Sequence, residues 1–491
     1  MKRAPSFLAG LLALCLFGCG AIHAQNRPHV VSHFPADGQV LAGWVGTIRV
    51  VFDVPVRILD EEAVGIEANG EDLEARAFPD PSDPNAIVIL PSGGRLIPGA
   101  DHRVVVHEGV VVNDEDHYLE DQFDFHFTPG PRPTLFVASD DGNVYEIDAD
   151  TGTPVAATAA PVGLAARDVL GSDDEVFVWL TDAGPGSDRL AWFAPGAATM
   201  TTIALAGESG ERVALGMAIA ADGRTLYATA VDLATNRVRV HRVDTTSRAE
   251  IPASIELTAP TPAPYLARRP AIDPTRNRLY VAHGDGSGGG RLSVVDLYAF
   301  TEIDAEESAG LSAPLVDGAG DLTYGPITDR IWMTIAEEPQ AGLVVINPDG
   351  FGTAEAREQE FTQNPVASLL TPEEQWFLQG LDAYTDRQGL VYSQTDDIGQ
   401  GFSRTVDDDV GGVEQGSTRL AVLVLDIGSS TVVALATGSG KTVLLQYEVV
   451  DSDVTQVDLD VVTDGLQGLD LSVSAPGEAV AATFLRGAFG P

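Results

Sequence analysis

Cysteine is almost absent from this chain. Its 491 residues include two, Cys15 and Cys19, both within the first nineteen positions. The remainder therefore holds neither a thiol nucleophile nor a disulfide. Basic charge is also scarce, with 29 Lys+Arg against 72 Asp+Glu and a net charge of −43. Lys2 and Lys441 are the only lysines. A surface of that sign repels phosphate backbones and anionic headgroups, so nucleic acid and the membrane surface are excluded as partners. A solvated, salt-tolerant surface that attracts cations is the expectation. Hydrophobic residues make up 44%, enough for sizeable cores in two or three domains. The nine histidines show no zinc-binding spacing; His102 and His107 are an odd number apart and face opposite ways on a strand. No G-x-S-x-G elbow precedes a helix.

The N-terminal segment carries an address. Lys2 and Arg3 precede an apolar run from Phe7 to Phe17, too short to span a bilayer and suited to an export signal. The following Leu16-Phe17-Gly18-Cys19 resembles a bacterial lipobox. That resemblance implies a signal over residues 1–19, with Cys19 lipidated and anchoring a body that stays in water. Gly20 stands where an inner-membrane retention signal has aspartate, which points to the outer membrane if the cell is Gram-negative. The competing site, Ile22-His23-Ala24, would be cut after Ala24 and give a soluble periplasmic or secreted protein.

The segment Thr128-Pro129-Gly130-Pro131-Arg132-Pro133 is a stiff break, with the linker at 129–133. The region before it, 28–129, reads as all-β. Val45 to Phe52, Ala86 to Leu90 and His102 to His107 are strand-like, and Phe123, Phe125 and Phe127 alternate onto one face. Asn69-Gly70 and Ser92-Gly93-Gly94 supply turns. The spacing suits a β-sandwich. Phe34-Pro35-Ala36-Asp37-Gly38, Ile48 to Val56, Gly109 to Asp114 and Phe123 to Thr128 together resemble the bacterial Ig-like domain of the S-layer (SbsA) type. The resemblance implies a spacer or adhesion module.

The region 134–491 repeats. Thr225-Leu226-Tyr227-Ala228-Thr229 recurs as Arg278-Leu279-Tyr280-Val281-Ala282 and Arg330-Ile331-Trp332-Met333-Thr334. Looser copies fall at Thr134 to Ala138, Glu175 to Leu180, Gly389 to Tyr392, Thr431 to Ala436 and Glu478 to Thr483. Each reads as the second strand of a small sheet. Such a sheet cannot bury both faces alone, and stacking copies around an axis solves this, which is the logic of a β-propeller. The pattern resembles YVTN-type and quinoprotein-like propellers. The first copy lacks a preceding strand and the last lacks following ones. Joined as one blade they give seven blades; kept apart they give eight.

Loops between second and third strands gather on one face of a propeller, where binding surfaces form. Those expected here carry Asp182 and Asp188, His283 and Asp285, Glu337 and Glu338, and, in the stretch Thr395 to Ser417, Asp407, Asp408 and Asp409. Thr437-Gly438-Ser439-Gly440-Lys441-Thr442 resembles the end of a phosphate-binding loop, but Leu435 stands where the motif needs glycine and strands flank it. It reads as a turn, with no nucleotide as partner. Asp140, Asp141, Asp148 and Asp150 offer oxygen ligands for calcium, without EF-hand spacing; turn-forming aspartates are the preferred reading, and no cofactor is identified. Two functions fit. The first is a lipid-anchored, non-catalytic envelope protein whose Ig-like module spaces a propeller that binds a protein or glycan. The second is an exported propeller enzyme such as a lactonase, lyase or quinoprotein. With no convergent catalytic set in the sequence, the first is preferred.

Overall fold

The computed structural model describes residues 27–484 apart from connections between strands, among them 60–63, 183–188, 206–211, 261–268, 285–289, 304–313, 336–341, 359–364, 396–403, 408–418 and 449–474. Cys15 and Cys19 lie outside the described residues. The secondary structure described is all-β. The chain divides into two compact units, one over Met1–Pro131 with Ala488–Pro491, the other over Arg132–Gly487.

In the first unit, eight strands form one hydrogen-bonded path. Its order in space is Val30–Phe34, Ile48–Phe52, Ala86–Gly93, Glu71–Pro79, Val64–Ala68, His102–Val106, Phe123–Thr128 and Gln39–Val40. Strict alternation sets the buried face: Ile48, Val50 and Phe52 are buried, while Arg49 and Val51 are less so. Asn69 and Gly70, both at positive φ, turn the chain between Ala68 and its partner Glu71, the two-residue hairpin that Asn-Gly favours. The path curls onto its own apolar face. His33 of the first strand meets Phe125 of the seventh at 4.2 Å between ring centroids, and one core joins Phe52, Ile66, Ile89, Val104 and Phe127. The strands of the expected β-sandwich region thus form one continuous path, with a two-stranded piece, Arg57–Ile58 and Val111–Val112, beside it.

Among its described residues the second unit has seven antiparallel sheets, numbered here along the chain. Sheets 2 to 7 open on the strands Leu164–Gly171, Arg212–Ile219, Ala271–Asp273, Ala319–Gly325, Pro365–Leu370 and Arg419–Asp426. Their second strands are Val176–Asp182, Thr225–Asp232, Arg278–Gly284, Arg330–Ile335, Trp376–Thr385 and Thr431–Gly438. Sheet 1 draws on both ends of the unit: Leu135–Ser139 is its second strand, and Ala479–Phe484 occupies the place of a first strand beside it.

Burial explains the repeat. The second strand of sheet 3 is buried from Leu226 to Asp232, both faces included, because a neighbouring sheet covers each side. Shared cores join sheets 1 and 2 through Phe136 and Val178, sheets 2 and 3 through Trp179 and Ala228, and sheets 3 and 4 through Val240 and Leu279. Sheets 4 and 5 share Tyr280 and Ile331, and Trp332 of sheet 5 stacks on Phe377 of sheet 6 at 5.8 Å. Successive first strands touch in chain order, and Arg419–Asp426 touches Ala479–Phe484, returning to sheet 1. This is a propeller-like arrangement.

Two copies of the repeat are placed differently from the expectation. Gly389 to Tyr392 lies in Gln388–Gln394, the third strand of sheet 6; its second strand is Trp376–Thr385. Glu478 to Thr483 falls largely in Ala479–Phe484, which takes a first-strand place. The segment Thr437 to Thr442 joins paired strands, with Gly438 opposite Lys441.

Candidate functional site: the charged set inside the ring

The sheets are offset copies, so one register can be followed around the ring. Gly216 in sheet 3 pairs with Thr229, and Thr229 Oγ1 donates to the Gly216 carbonyl at 3.0 Å. Asp168 in sheet 2 stands opposite Trp179 in the same way, just after a bulge. In sheet 5, Thr334 Oγ1 donates to the Asp321 carbonyl at 3.3 Å. In sheet 4, Ala271 opposite Tyr280 matches Ala218 opposite Tyr227, which sets Arg269 at the register of Gly216. Asp168 and Asp321, within first strands, and Arg269, two residues ahead of one, therefore share this level. Strand direction places the level near the start of each first strand, at the end of the ring where second strands turn into third strands.

Asp168 is 2% exposed and bonds in three directions. Its Oδ1 accepts from the backbone N–H of Val169 and from Arg269 Nε, each at 2.9 Å. Its Oδ2 accepts from the Met217 N–H of sheet 3 at 2.8 Å. Arg269 Nη2 donates to the carbonyls of Val169 and Ala482 at 3.0 Å each. One guanidinium, two residues ahead of sheet 4, thus fastens to sheets 1 and 2. Burial alone would depress its pKa; the Asp168 carboxylate outweighs burial and the net shift is upward.

Asp321 repeats the cross-sheet lock three sheets further on. Its Oδ2 accepts from the Ser368 N–H at 3.2 Å and from Ser368 Oγ at 3.1 Å, both in sheet 6. Burial pushes its carboxyl above the usual range, against the opposing pull of Arg269 and Ser368. Arg269 and Asp321 act on each other's charge without forming a direct ion pair. Arg269 Nη1 has no acceptor among the described residues, and the side chain remains 35% accessible.

A second charged cluster lies at the other end of the ring, where first strands turn into second strands. Arg276 holds Asp329 through Nη1 and Nη2 at 2.6 and 2.7 Å, and Asp349 through Nε and Nη2 at 2.8 Å each. Its Nη1 also reaches the fully buried Asp273 at 3.1 Å. Glu374, at positive φ, accepts from the N–H groups of Ile327 and Thr328 at 2.7 Å each and from Thr328 Oγ1 at 2.6 Å. These bonds tie sheet 4 to sheet 5 and sheet 6 to sheet 5.

The residues chosen from sequence are placed as follows. Asp182 ends the second strand of sheet 2. His283 belongs to the second strand of sheet 4 and not to a loop; it is 1% exposed and its Nε2 pairs with Ser293 Oγ at 2.9 Å. Asp407 ends a strand, Arg404–Asp407, that interrupts Thr395 to Ser417. That stretch is therefore a third-to-fourth connection followed by a link to sheet 7, and not a single loop. Asp188, Asp285, Glu337, Glu338, Asp408 and Asp409 lie outside the described residues, as does Asp150. Asp140 and Asp148 are exposed. Asp141 is committed to its own turn, accepting from the Asn143 N–H at 3.0 Å and the Tyr145 hydroxyl at 2.5 Å. Among the described residues no three acidic, His or Cys side chains gather as metal ligands. Asp168, Arg269 and Asp321 were missed. Aligning the repeats and counting back from each second strand would have set these charges at one level.

No protein-family profile and no curated protein matches the chain. Among solved structures it is similar to a quinoprotein alcohol dehydrogenase-like protein from Bacteroides thetaiotaomicron, at 11% identity over 94% of this chain and 98% of that one, with a TM-score of 0.44. It is also similar to the periplasmic gluconolactonase of Pseudomonas aeruginosa, at 15% identity over 72% of this chain and 99% of that one, TM-score 0.49. A 6-phosphogluconolactonase-like protein from Bacteroides uniformis stands at 11% identity over 72% and 99%, TM-score 0.49. Likeness at this level assigns no activity.

Proposed function

We propose that this chain is a lipid-anchored envelope protein with a non-catalytic binding role. In this reading Cys19 carries the anchor, the first unit is an Ig-like (SbsA-type) spacer, and the second is a seven-bladed β-propeller. The binding surface is the end of the ring that carries the second-to-third strand connections, and the partner is an envelope protein or glycan. One observation supports it most. The acid and base groups at the centre of that end are largely bound to backbone: Asp168 accepts from Val169 and Met217, and Arg269 donates to Val169 and Ala482. Groups so committed hold a frame together and are poorly placed to move protons. A rigid frame under variable connections is the usual construction of a binding face.

A pull-down from envelope extract tests the reading, with the body beginning after Cys19 as bait. A second bait has residues 285–289 and 336–341 replaced by short Gly-Ser turns. A partner kept by the first bait and lost by the second supports the binding face. Equal retention by both places the contact elsewhere. For the anchor, Cys19→Ser is expected to release the protein from membranes; a variant that stays membrane-bound refutes it.

A further inference from the structure

We infer that the centre of the ring, between Arg269 and Asp321, is a binding subsite for a small zwitterion that carries a carboxylate and an ammonium on one short frame, such as an α-amino acid. Three observations lead there. First, the cross-sheet bonds leave a remainder. Arg269 uses Nε and Nη2 for Asp168, Val169 and Ala482, which leaves Nη1 with both N–H groups and no acceptor among the described residues. Second, Asp168 neutralises Arg269 directly at 2.8 Å, whereas Asp321 has hydrogen bonds from Ser368 and no cation in contact. Third, the register sets Arg269 and Asp321 at one level of the neighbouring sheets 4 and 5, and no ion pair joins them.

Charge complementarity selects the occupant. A carboxylate accepts from an N–H of Nη1 in a charge-assisted hydrogen bond. An ammonium on the next carbon donates to Asp321 and relieves the burial that raises its carboxyl. An anion alone would meet Asp321 and a chain of net charge −43; a cation alone would meet Arg269. Only a ligand with both charges satisfies both sides. The Arg269 side chain remains 35% accessible.

The subsite does not depend on the binding face proposed above, and calorimetry on the whole chain separates the two. Glycine is titrated at constant ionic strength and neutral pH, beside N-acetylglycine, which keeps only the carboxylate, and glycinamide, which keeps only the ammonium. Saturable heat with glycine, at least tenfold weaker with either analogue, is the expected result. Asp321→Asn keeps an acceptor for Ser368 and removes the charge, and is expected to weaken glycine at least tenfold. Should that variant not fold, the three-ligand comparison on the unmodified chain decides alone. No saturable heat with glycine, or equal heat with an analogue, overturns the inference, as does a folded Asp321→Asn variant that binds glycine unchanged. Replacing residues 285–289 and 336–341 is expected to leave the glycine heat intact while abolishing partner capture.

Discussion

Replacing Asp168 by Asn tests whether the charged set holds the ring. The side chain is 2% exposed, and its two oxygens accept three N–H groups from residues 169, 217 and 269. Asparagine has one oxygen. If that oxygen stays with Val169 and Arg269, the amide NH2 abuts the Met217 N–H, donor against donor. If it turns, Arg269 loses its acceptor. Either way a buried donor goes unsatisfied, at about 1–3 kcal/mol, and a charge-assisted bond worth about 1.5–3 kcal/mol is lost. The sum is about 4 kcal/mol. At an unfolding entropy of about 2.1 cal/mol/K per residue, this lowers the melting temperature of the unit Arg132–Gly487 by roughly 5 °C. Differential scanning calorimetry of the full chain reads it, with Asp141→Asn in an exposed turn as the control. A second variant, Arg269→Met, closes a double-mutant cycle. Because both residues belong to one network, the double variant is expected to be less destabilised than the two single effects added. A melt of Asp168→Asn within about 1 °C of the unmodified chain would show that the lock carries no load.

Arg276→Met removes the cation that holds Asp329 and Asp349 below the usual carboxylate range. Depressed carboxyls stabilise above their unfolded pKa and lose that contribution as pH falls through the folded values, so the loss of melting temperature should be large at pH 7 and shrink in acid; a pH-independent deficit would argue for lost packing instead. His102 is expected to act in the opposite chemical sense. Burial holds its imidazole below the ordinary value, with Nε2 accepting from the Ile97 N–H at 3.1 Å and Nδ1 facing the Ala100 carbonyl at 3.0 Å. The fold thus favours neutral His102, and its contribution, full above the unfolded pKa of about 6.5, declines as pH drops below that value; His102→Gln should flatten this part of the pH–stability curve, read by circular dichroism. Calcium chelation is expected to leave the melt unchanged to within about 1 °C, since Asp141 is committed to Asn143 and Tyr145; a clear drop would establish an ion at these turns.

Strand content was legible because burial in this unit is two-sided. A second strand such as Leu226 to Val231 needs apolar or small residues on both faces, and that run stands out from the alternation of the first unit. The same feature misplaced Gly389 to Tyr392. A third strand packed between neighbouring sheets carries the same apolar run, so composition cannot tell second from third strand. His283 was taken for a loop residue because glycines follow it, yet the strand extends through Gly284 and buries the ring against Ser293. The charged set was overlooked for a different reason. Asp168 and Asp321 lie in first strands and Arg269 two residues ahead of one, far apart in sequence, and only the aligned repeats set them at one level.

Why aspartate stands at this level follows from the bulges. First strands converge on the middle of the ring, where side-chain room is small, and the register occupants without charge include Gly216 and Ala367. A bulge there takes one residue out of the ladder and turns backbone N–H groups away from their strand partners. Met217 and Ser368 present such N–H groups, and each is met by a carboxylate from the preceding sheet: Asp168 for Met217, Asp321 for Ser368. A buried donor left without that acceptor costs about 1–3 kcal/mol, and the several bonds each carboxylate receives offset its own desolvation. The structural need therefore accounts for two acids at the centre, and Arg269 offsets one of them. It does not account for the negative charge left on Asp321 or for the N–H groups left on Arg269 Nη1. Those two groups share one level of neighbouring sheets, and they are where a function beyond holding the ring can reside.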